Sequence, residues 1–327
     1  MNKKIRRHMI IGAMTLLSSS LCLNSAFAQR TPTLRLVVGS APGGIADHTA
    51  RVMAEKLSRL LEQTVVVENK PGAATRIANG EVKRSAPDGS TLLFSPLGSL
   101  TVLPHLYSEQ SLGYRPSDFV PVGRVASFEY LLAVNPSLKV NNLLELRALI
   151  AKKPELATIA NPGTGTIPNL LSMVLATNFN LPLVHVAYKG SGPAAADLVA
   201  GHVSLLIGTP AELVSLHQNG RIRVIASISE QRSPGFPDVS TLKEQGENLA
   251  AESLLGLWAP AGTPPATIQR LNQALTSTIN DPAIQEQLTK SGLRAASSTP
   301  EELLAIQQQD SQQWANFIKQ VDLKIPN

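Results

Sequence analysis

One order of elements occurs twice in this chain: apolar strand, glycine loop, helix, strand, glycine loop, helix, turn, strand. In residues 34–95, Leu34 to Val38 runs through Gly39-Ser40-Ala41-Pro42-Gly43-Gly44 into an amphipathic helix over Asp47 to Leu61. Val65-Val66-Val67 then passes through Glu68-Asn69-Lys70-Pro71-Gly72-Ala73-Ala74 into a helix over Arg76 to Ser85, and Pro87-Asp88-Gly89 turns into Ser90 to Phe94. In residues 156–208, Ala157 to Ala160 leads through Asn161-Pro162-Gly163-Thr164-Gly165-Thr166 into a helix from Ile167 to Asn178. Leu183 to Ala187 follows with the loop Tyr188-Lys189-Gly190-Ser191-Gly192-Pro193 and a helix over Ala194 to Ala200, and Gly201-His202 turns into Val203 to Ile207. The two stretches share almost no residues, so the repeat is one of architecture. Strands alternating with helices predict an α/β fold with mostly parallel sheets. Two such sheets predict two lobes around a cleft.

The rest of the chain connects and closes these units. Val122 to Val134 is an apolar run long enough to cross between lobes, with a helix after it over Leu143 to Lys152; Val224 to Ser229 and Leu254 to Ala259 supply the return. The division expected is residues 29–127 with 229–327 as one lobe and 128–228 as the other, hinged near 122–132 and 225–260. Helices are expected over Ala266 to Ile279, Pro282 to Lys290 and Pro300 to Val321, the last two with glutamine-rich faces turned to solvent.

Residues 1–28 read as a cleavable signal peptide, hence a secreted protein. Lys3, Lys4, Arg6 and Arg7 precede an apolar stretch from Met9 to Leu23, and Ala26-Phe27-Ala28 forms a small-x-small cleavage site. The apolar stretch is interrupted by Ser18, Ser19 and Ser20 and is short for a membrane span. Removing the leader takes 4 of the 29 basic residues and leaves 25 against 24 acidic ones, a net of +1. That balance gives no hint of nucleic acid as a partner. The single cysteine, Cys22, lies in the leader, so no disulfide or thiolate metal site is expected beyond it.

The glycine loops decide what can bind. Residues 39–51 lack the Gly-Lys-Ser/Thr ending of a phosphate loop, and Gly39, Gly43 and Gly44 have the wrong spacing for a dinucleotide fingerprint, so no cofactor is expected. What remains is the helix N-terminus, whose free amides and positive dipole end attract an anion. In open α/β sheets ligands sit beyond the carboxyl ends of strands, where these loops lie. Two facing helix N-termini predict a clamp for a carboxylate, in which Asp47 caps or orients the first loop. Catalysis has less support. No G-x-S-x-G elbow occurs, and His48, His105, His185, His202 and His217 form no metal-binding pair. A hydrolase would need Ser95, Ser99 or Ser191 beside a histidine.

The phrases APGGIADHTARVMAEKL, VVVENKPGAATRIANGEV, APDGSTLLFSPLGSLTVLPHLY, VAYKGSGPAAADLVAGHVSLL and LWAPAGTPPATIQRLNQAL, in this order, resemble the substrate-binding proteins of tripartite tricarboxylate transporters, the Bug family of periplasmic receptors. The resemblance runs from Leu34 to the C-terminus. It implies a two-lobed periplasmic binding fold of the type II kind that closes on a carboxylate, a di- or tricarboxylate or an aromatic acid, and delivers it to membrane transporter components as a monomer. It also implies that the ligand is held by Pro42, Gly43, Gly44, Ile45, Ala46 and Asp47 from the first loop and by Asn161, Gly163, Thr164, Gly165 and Thr166 from the second lobe. Ser95, Gly98, Tyr188 and Thr209, at the ends of neighbouring strands, complete the candidate site. The chain departs from the family pattern at Ile45-Ala46, Asn169, Ser204 and Gly208. The absence of a carboxylate at Gly208 argues against an amino acid ligand. A receptor that signals to a sensor kinase would share the fold, and a hydrolase is the reading from another functional class.

Overall fold

The computed structural model describes residues 33–233 and 235–320. The segment read as a signal peptide lies outside the described residues. The first repeat comprises β1 (Thr33–Val38), α1 (Ile45–Leu61), β2 (Thr64–Asn69), α2 (Arg76–Lys83) and β3 (Thr91–Pro96), followed by β4 (Phe119–Val134) and α3 (Leu143–Lys152). The second comprises β5 (Thr158–Asn161), α4 (Ile167–Phe179), β6 (Val184–Ala187), α5 (Ser191–Ala200) and β7 (Leu205–Gly208). After it come α6 (Pro210–Gln218), β8 (Arg223–Ile228), β9 (Glu252–Pro260), α7 (Pro265–Ile279), α8 (Pro282–Lys290), β10 (Arg294–Ala295) and α9 (Pro300–Gln320).

Both repeats build the same sheet. β1 pairs in parallel with β2 and β3, and β5 pairs in parallel with β6 and β7, so the orders are β2-β1-β3 and β6-β5-β7. Helices cover both faces, which is why β1 is apolar and buried on both sides from Leu36 to Val38. In α1 the buried positions Ala46, Ala50, Met53, Leu57 and Leu61 recur every three or four residues and pin one stripe of the helix to the sheet.

The sheets are mixed rather than mostly parallel. β9 pairs antiparallel with β3 and with β4, and β4 pairs antiparallel with β7 and β8. A strand leaving one lobe and a strand returning to it run in opposite senses, so the crossings add antiparallel pairs to parallel units. β4 changes partners between Glu129, opposite Glu252 of β9, and Tyr130, opposite Ile228 of β8. At that point Glu129 is fully buried and pairs with Arg294 of β10 at 3.0 Å, while Arg294 also reaches Glu252 at 2.9 Å. Arg294 thus neutralises two carboxylates placed opposite each other on adjacent strands.

The C-terminal helix α9 turns Gln308, Gln309, Gln312 and Gln313 to solvent as expected, and Gln307 is the exception. Trp258 of β9 has no exposed surface, and its indole N–H donates to Gln307 Oε1 at 2.9 Å, so Gln307 is buried as the acceptor that a buried indole needs. Trp314 and Phe317 pack against the main core.

Candidate ligand-binding cavity

A cavity of about 360 Å³ lies between the lobes, at the carboxyl ends of β1, β3, β5 and β7. The loops read from the sequence supply two of its walls by one local device used twice. Gly43 takes a φ of +85° and its N–H donates to Asp47 Oδ2 at 3.0 Å; Gly165 takes a φ of +80° and its N–H donates to Asn169 Oδ1 at 2.9 Å. Glycine adopts this left-handed backbone without a Cβ penalty. In each case the acceptor is the third residue of the following helix, so the loop folds back on the helix end and the first-turn amides are left over.

Asp47 is buried and satisfied three ways. Besides Gly43, its Oδ1 accepts from Arg51 Nε and Asn69 Nδ2, both at 2.9 Å. Burial alone would raise the carboxyl; the Arg51, Gly43 and Asn69 hydrogen bonds outweigh it and hold the group below its ordinary value. Asn169 performs the same task in the second lobe without charge.

Of the fifteen candidate residues, Gly44, Ile45, Ala46, Gly98, Gly163, Thr164, Thr166, Tyr188 and Thr209 line the cavity. Pro42, Gly43, Asp47, Ser95, Asn161 and Gly165 stand outside its lining. Gly43, Asp47 and Gly165 shape the loops as described. Asn161 is held by Ser172 Oγ, which donates to its Oδ1 at 3.0 Å, and by His185 at 3.1 Å. Ser95 Oγ donates to Ser99 Oγ at 2.9 Å.

Lining residues not singled out from the sequence include Ser40, Thr75, Arg76, Phe128, Tyr130 and Lys189. The loop before α2 brings in Thr75 and Arg76 through an unusual backbone: Gly72, Ala73, Ala74 and Thr75 all have positive φ, from +47° to +128°. Left-handed non-glycine residues cost roughly 1–3 kcal/mol each and concentrate at ligand clamps. Phe128 and Tyr130 project from the same face of β4 with rings edge to face at 5.5 Å. Their spacing of two in a long apolar strand was the available signal, although only the lobe change turns that face toward a cleft.

The lobes touch around the cavity. Tyr107 Oη donates to the Thr164 carbonyl at 3.1 Å, and a Cβ at Gly192 would stand 2.9 Å from the Pro42 carbonyl. Behind Thr209, Glu212 is buried; its Oε1 accepts the Thr209 N–H at 2.7 Å and its Oε2 the Thr209 hydroxyl at 2.5 Å. Burial pushes its carboxyl above the ordinary value, against those bonds. A Cβ at Gly208 would meet Glu212 Oε1 at 3.2 Å, so the glycine makes room for this capping carboxylate, which is already committed to Thr209.

Serine–histidine contacts occur elsewhere: His48 with Ser291 at 2.7 Å, His105 with Ser311 at 2.9 Å and His185 with Ser172 at 3.2 Å. None of these six residues lines the cavity.

Two α/β lobes joined by paired crossing strands, with opposed helix N-termini closing on a cavity, define a solute-binding protein of the periplasmic binding fold. Residues 49–323 match the family described as tripartite tricarboxylate transporter family receptor, and the chain belongs to it. It is 31% identical to protein BugT of Bordetella pertussis over 299 residues, 89% of this chain and 90% of that protein. The structure of the periplasmic binding protein BugD is similar at a TM-score of 0.85 and 31% identity, covering 89% of this chain and 98% of that one. The structure of MatC from Rhodopseudomonas palustris with bound malate is similar at a TM-score of 0.81 and 27% identity, over 89% and 99% of the two chains.

Proposed function

We propose that this protein captures a small carboxylate, a di- or tricarboxylate or an aromatic acid, in the periplasm and presents it to a membrane transporter. The observation that carries the reading is the cavity of about 360 Å³ between the N-terminal ends of α1 and α4, a size near the lower end of ligand sites. Oriented amides at Ile45, Ala46 and Ile167 attract the anion, and the nine lining candidates contact it. The other six act through the loops and strands that carry those nine. Residues 29–127 with 229–327 form one moving body and 128–228 the other, turning about β4 and the β8–β9 return. Malate bound by the related MatC supports a carboxylate.

A thermal-shift screen with mono-, di- and tricarboxylates tests it. A carboxylate at 100 times its Kd should stabilise the protein by about 2.7 kcal/mol. Indifference to every carboxylate, with binding of neutral solutes instead, would reject the proposal. Uptake of the identified carboxylate should fall in cells lacking this chain, and unchanged uptake would remove the transport role.

A further inference from the structure

We infer that the ligand carries a single carboxylate on an apolar body large enough to meet aromatic rings, an arylalkanoic or benzoic type of acid. This rests on the carboxylate reading above and narrows it. Among the described residues, the cavity lining has two buried hydroxyl oxygens left uncommitted. Ser40 Oγ and Thr75 Oγ1 are buried and have no hydrogen-bond partner within the protein, and both residues line the cavity. Both lie against the loop between β1 and α1: a Cβ at Gly44 would be 3.3 Å from Ser40 Oγ, and a Cβ at Gly39 would be 2.6 Å from Thr75 Cβ. The amides of Ile45 and Ala46 begin α1 beside them. Buried hydroxyls without partners are uncommon, and a ligand oxygen would satisfy both.

Several polar groups elsewhere on the wall are spent on the protein. Tyr107 Oη donates to Thr164 O, and Tyr188 Oη to Asp197 at 2.7 Å. With their hydroxyls so bonded, Tyr107 and Tyr188 offer the ligand ring carbon. Thr166 Oγ1 donates to Gly163 O at 2.7 Å, and Thr209 is held by Glu212. The α4 end has one first-turn amide fewer than the α1 end, because Pro168 has no N–H. Pro96, Leu103, Phe128, Tyr130, Ile167 and Pro168 form the apolar part of the wall, with Ser99, Thr164 and Ser191 also in the lining. Placing a second carboxylate against it would desolvate a charge without a partner.

Two cations border the cavity, and neither supplies a buried second pole. The Arg76 guanidinium lies 4.1 Å over the Tyr107 ring and donates to Ala73 O and Ser111 O. Lys189 is exposed to solvent.

Titration calorimetry of the full chain with benzoate, phenylacetate, hexanoate, malate, adipate, citrate and benzamide tests the inference. Benzoate or phenylacetate should bind at least about tenfold more tightly than malate, adipate or citrate. Thr75→Val keeps the branched shape at the same backbone angle and Ser40→Ala removes the other hydroxyl; each should weaken the best monocarboxylate about tenfold with the ligand-free melting temperature unchanged. Malate or citrate binding more tightly than every monocarboxylate overturns the inference and leaves the proposed function standing. Benzamide matching benzoate removes the carboxylate pole. A larger loss from Lys189→Ala than from Thr75→Val places the anion at the rim and overturns it as well. Failure of all six carboxylates rejects both readings.

Discussion

Asp47→Ala should destabilise the ligand-free protein by about 2 kcal/mol, and Asp47→Asn by about half as much. Three donors converge on this buried carboxylate, from Gly43, Arg51 and Asn69. In the alanine variant Arg51, with 55% of its side chain exposed, returns to water at little cost. Asn69 keeps its second bond, to Ser40 O at 3.0 Å, and the exposed Gly43 amide is partly rehydrated. The loss is therefore at the low end of roughly 1–3 kcal/mol per unsatisfied group, plus a few tenths for a carboxylate removed from a helix N-terminus. Asparagine preserves an acceptor for the Gly43 amide, as Asn169 does for Gly165 in the other lobe. Chemical denaturation without ligand, read by circular dichroism, measures both variants. The pH dependence supplies a second check. Because the folded carboxyl lies below its ordinary 3.8, its stabilisation is complete above that pH and is lost as pH falls through the lower folded value. The gap between wild type and Asp47→Ala should close accordingly in strong acid. Equal damage from asparagine and alanine would refute the argument, since it would make the charge, rather than the acceptor for the loop amide, the source of the order.

Gly192→Ala should weaken ligand binding severalfold in calorimetry without lowering the ligand-free melting temperature, because the new methyl meets the Pro42 carbonyl at 2.9 Å only when the lobes are together, while alanine favours the helix by up to about 1 kcal/mol; undiminished affinity would show that closure does not need this contact. Glu212→Gln should become increasingly stabilising as pH rises. The raised wild-type carboxyl contributes stability below its ordinary 4.5 that is lost as pH climbs through the folded value, so melting curves of the two proteins that stay parallel from pH 4 to pH 8 would contradict the burial argument. Arg294→Met should cost about 2–3 kcal/mol in denaturant titration by stranding the buried Glu129, the low end reflecting the arginine's 37% exposure, and adding Glu129→Gln should recover most of it.

The repeat was legible because its cause is local. A glycine that must turn, a helix whose apolar residues recur every three or four positions, and a strand buried on both faces each write their signature within some twenty residues. The loops Pro42 to Asp47 and Asn161 to Thr166 were found by that reasoning, as were both helix starts, to within two residues. Local pattern did not report that Gly43 and Gly165 spend their own amides on Asp47 and Asn169, because a hydrogen bond to a side chain four residues ahead depends on the angle at which the loop enters its helix. The antiparallel contribution of β4 and β9 was also hidden, since pairing between segments distant in the chain, such as Leu131 with Gly208 or Glu129 with Glu252, leaves no period in either. Gln307 reads as solvated in its own helix and becomes an acceptor only because Trp258 arrives beneath it. The character of the cavity is tertiary throughout. Ser40 and Thr75 lie 35 positions apart, Phe128 and Tyr130 reach the cleft because β4 changes lobes between residues 129 and 130, and the Tyr107 and Tyr188 hydroxyls are bonded to partners elsewhere in the fold. The sequence determined where helix ends with free first-turn amides would fall. Which of those ends still had donors to spare, and what surrounded them, was decided when the two lobes came together.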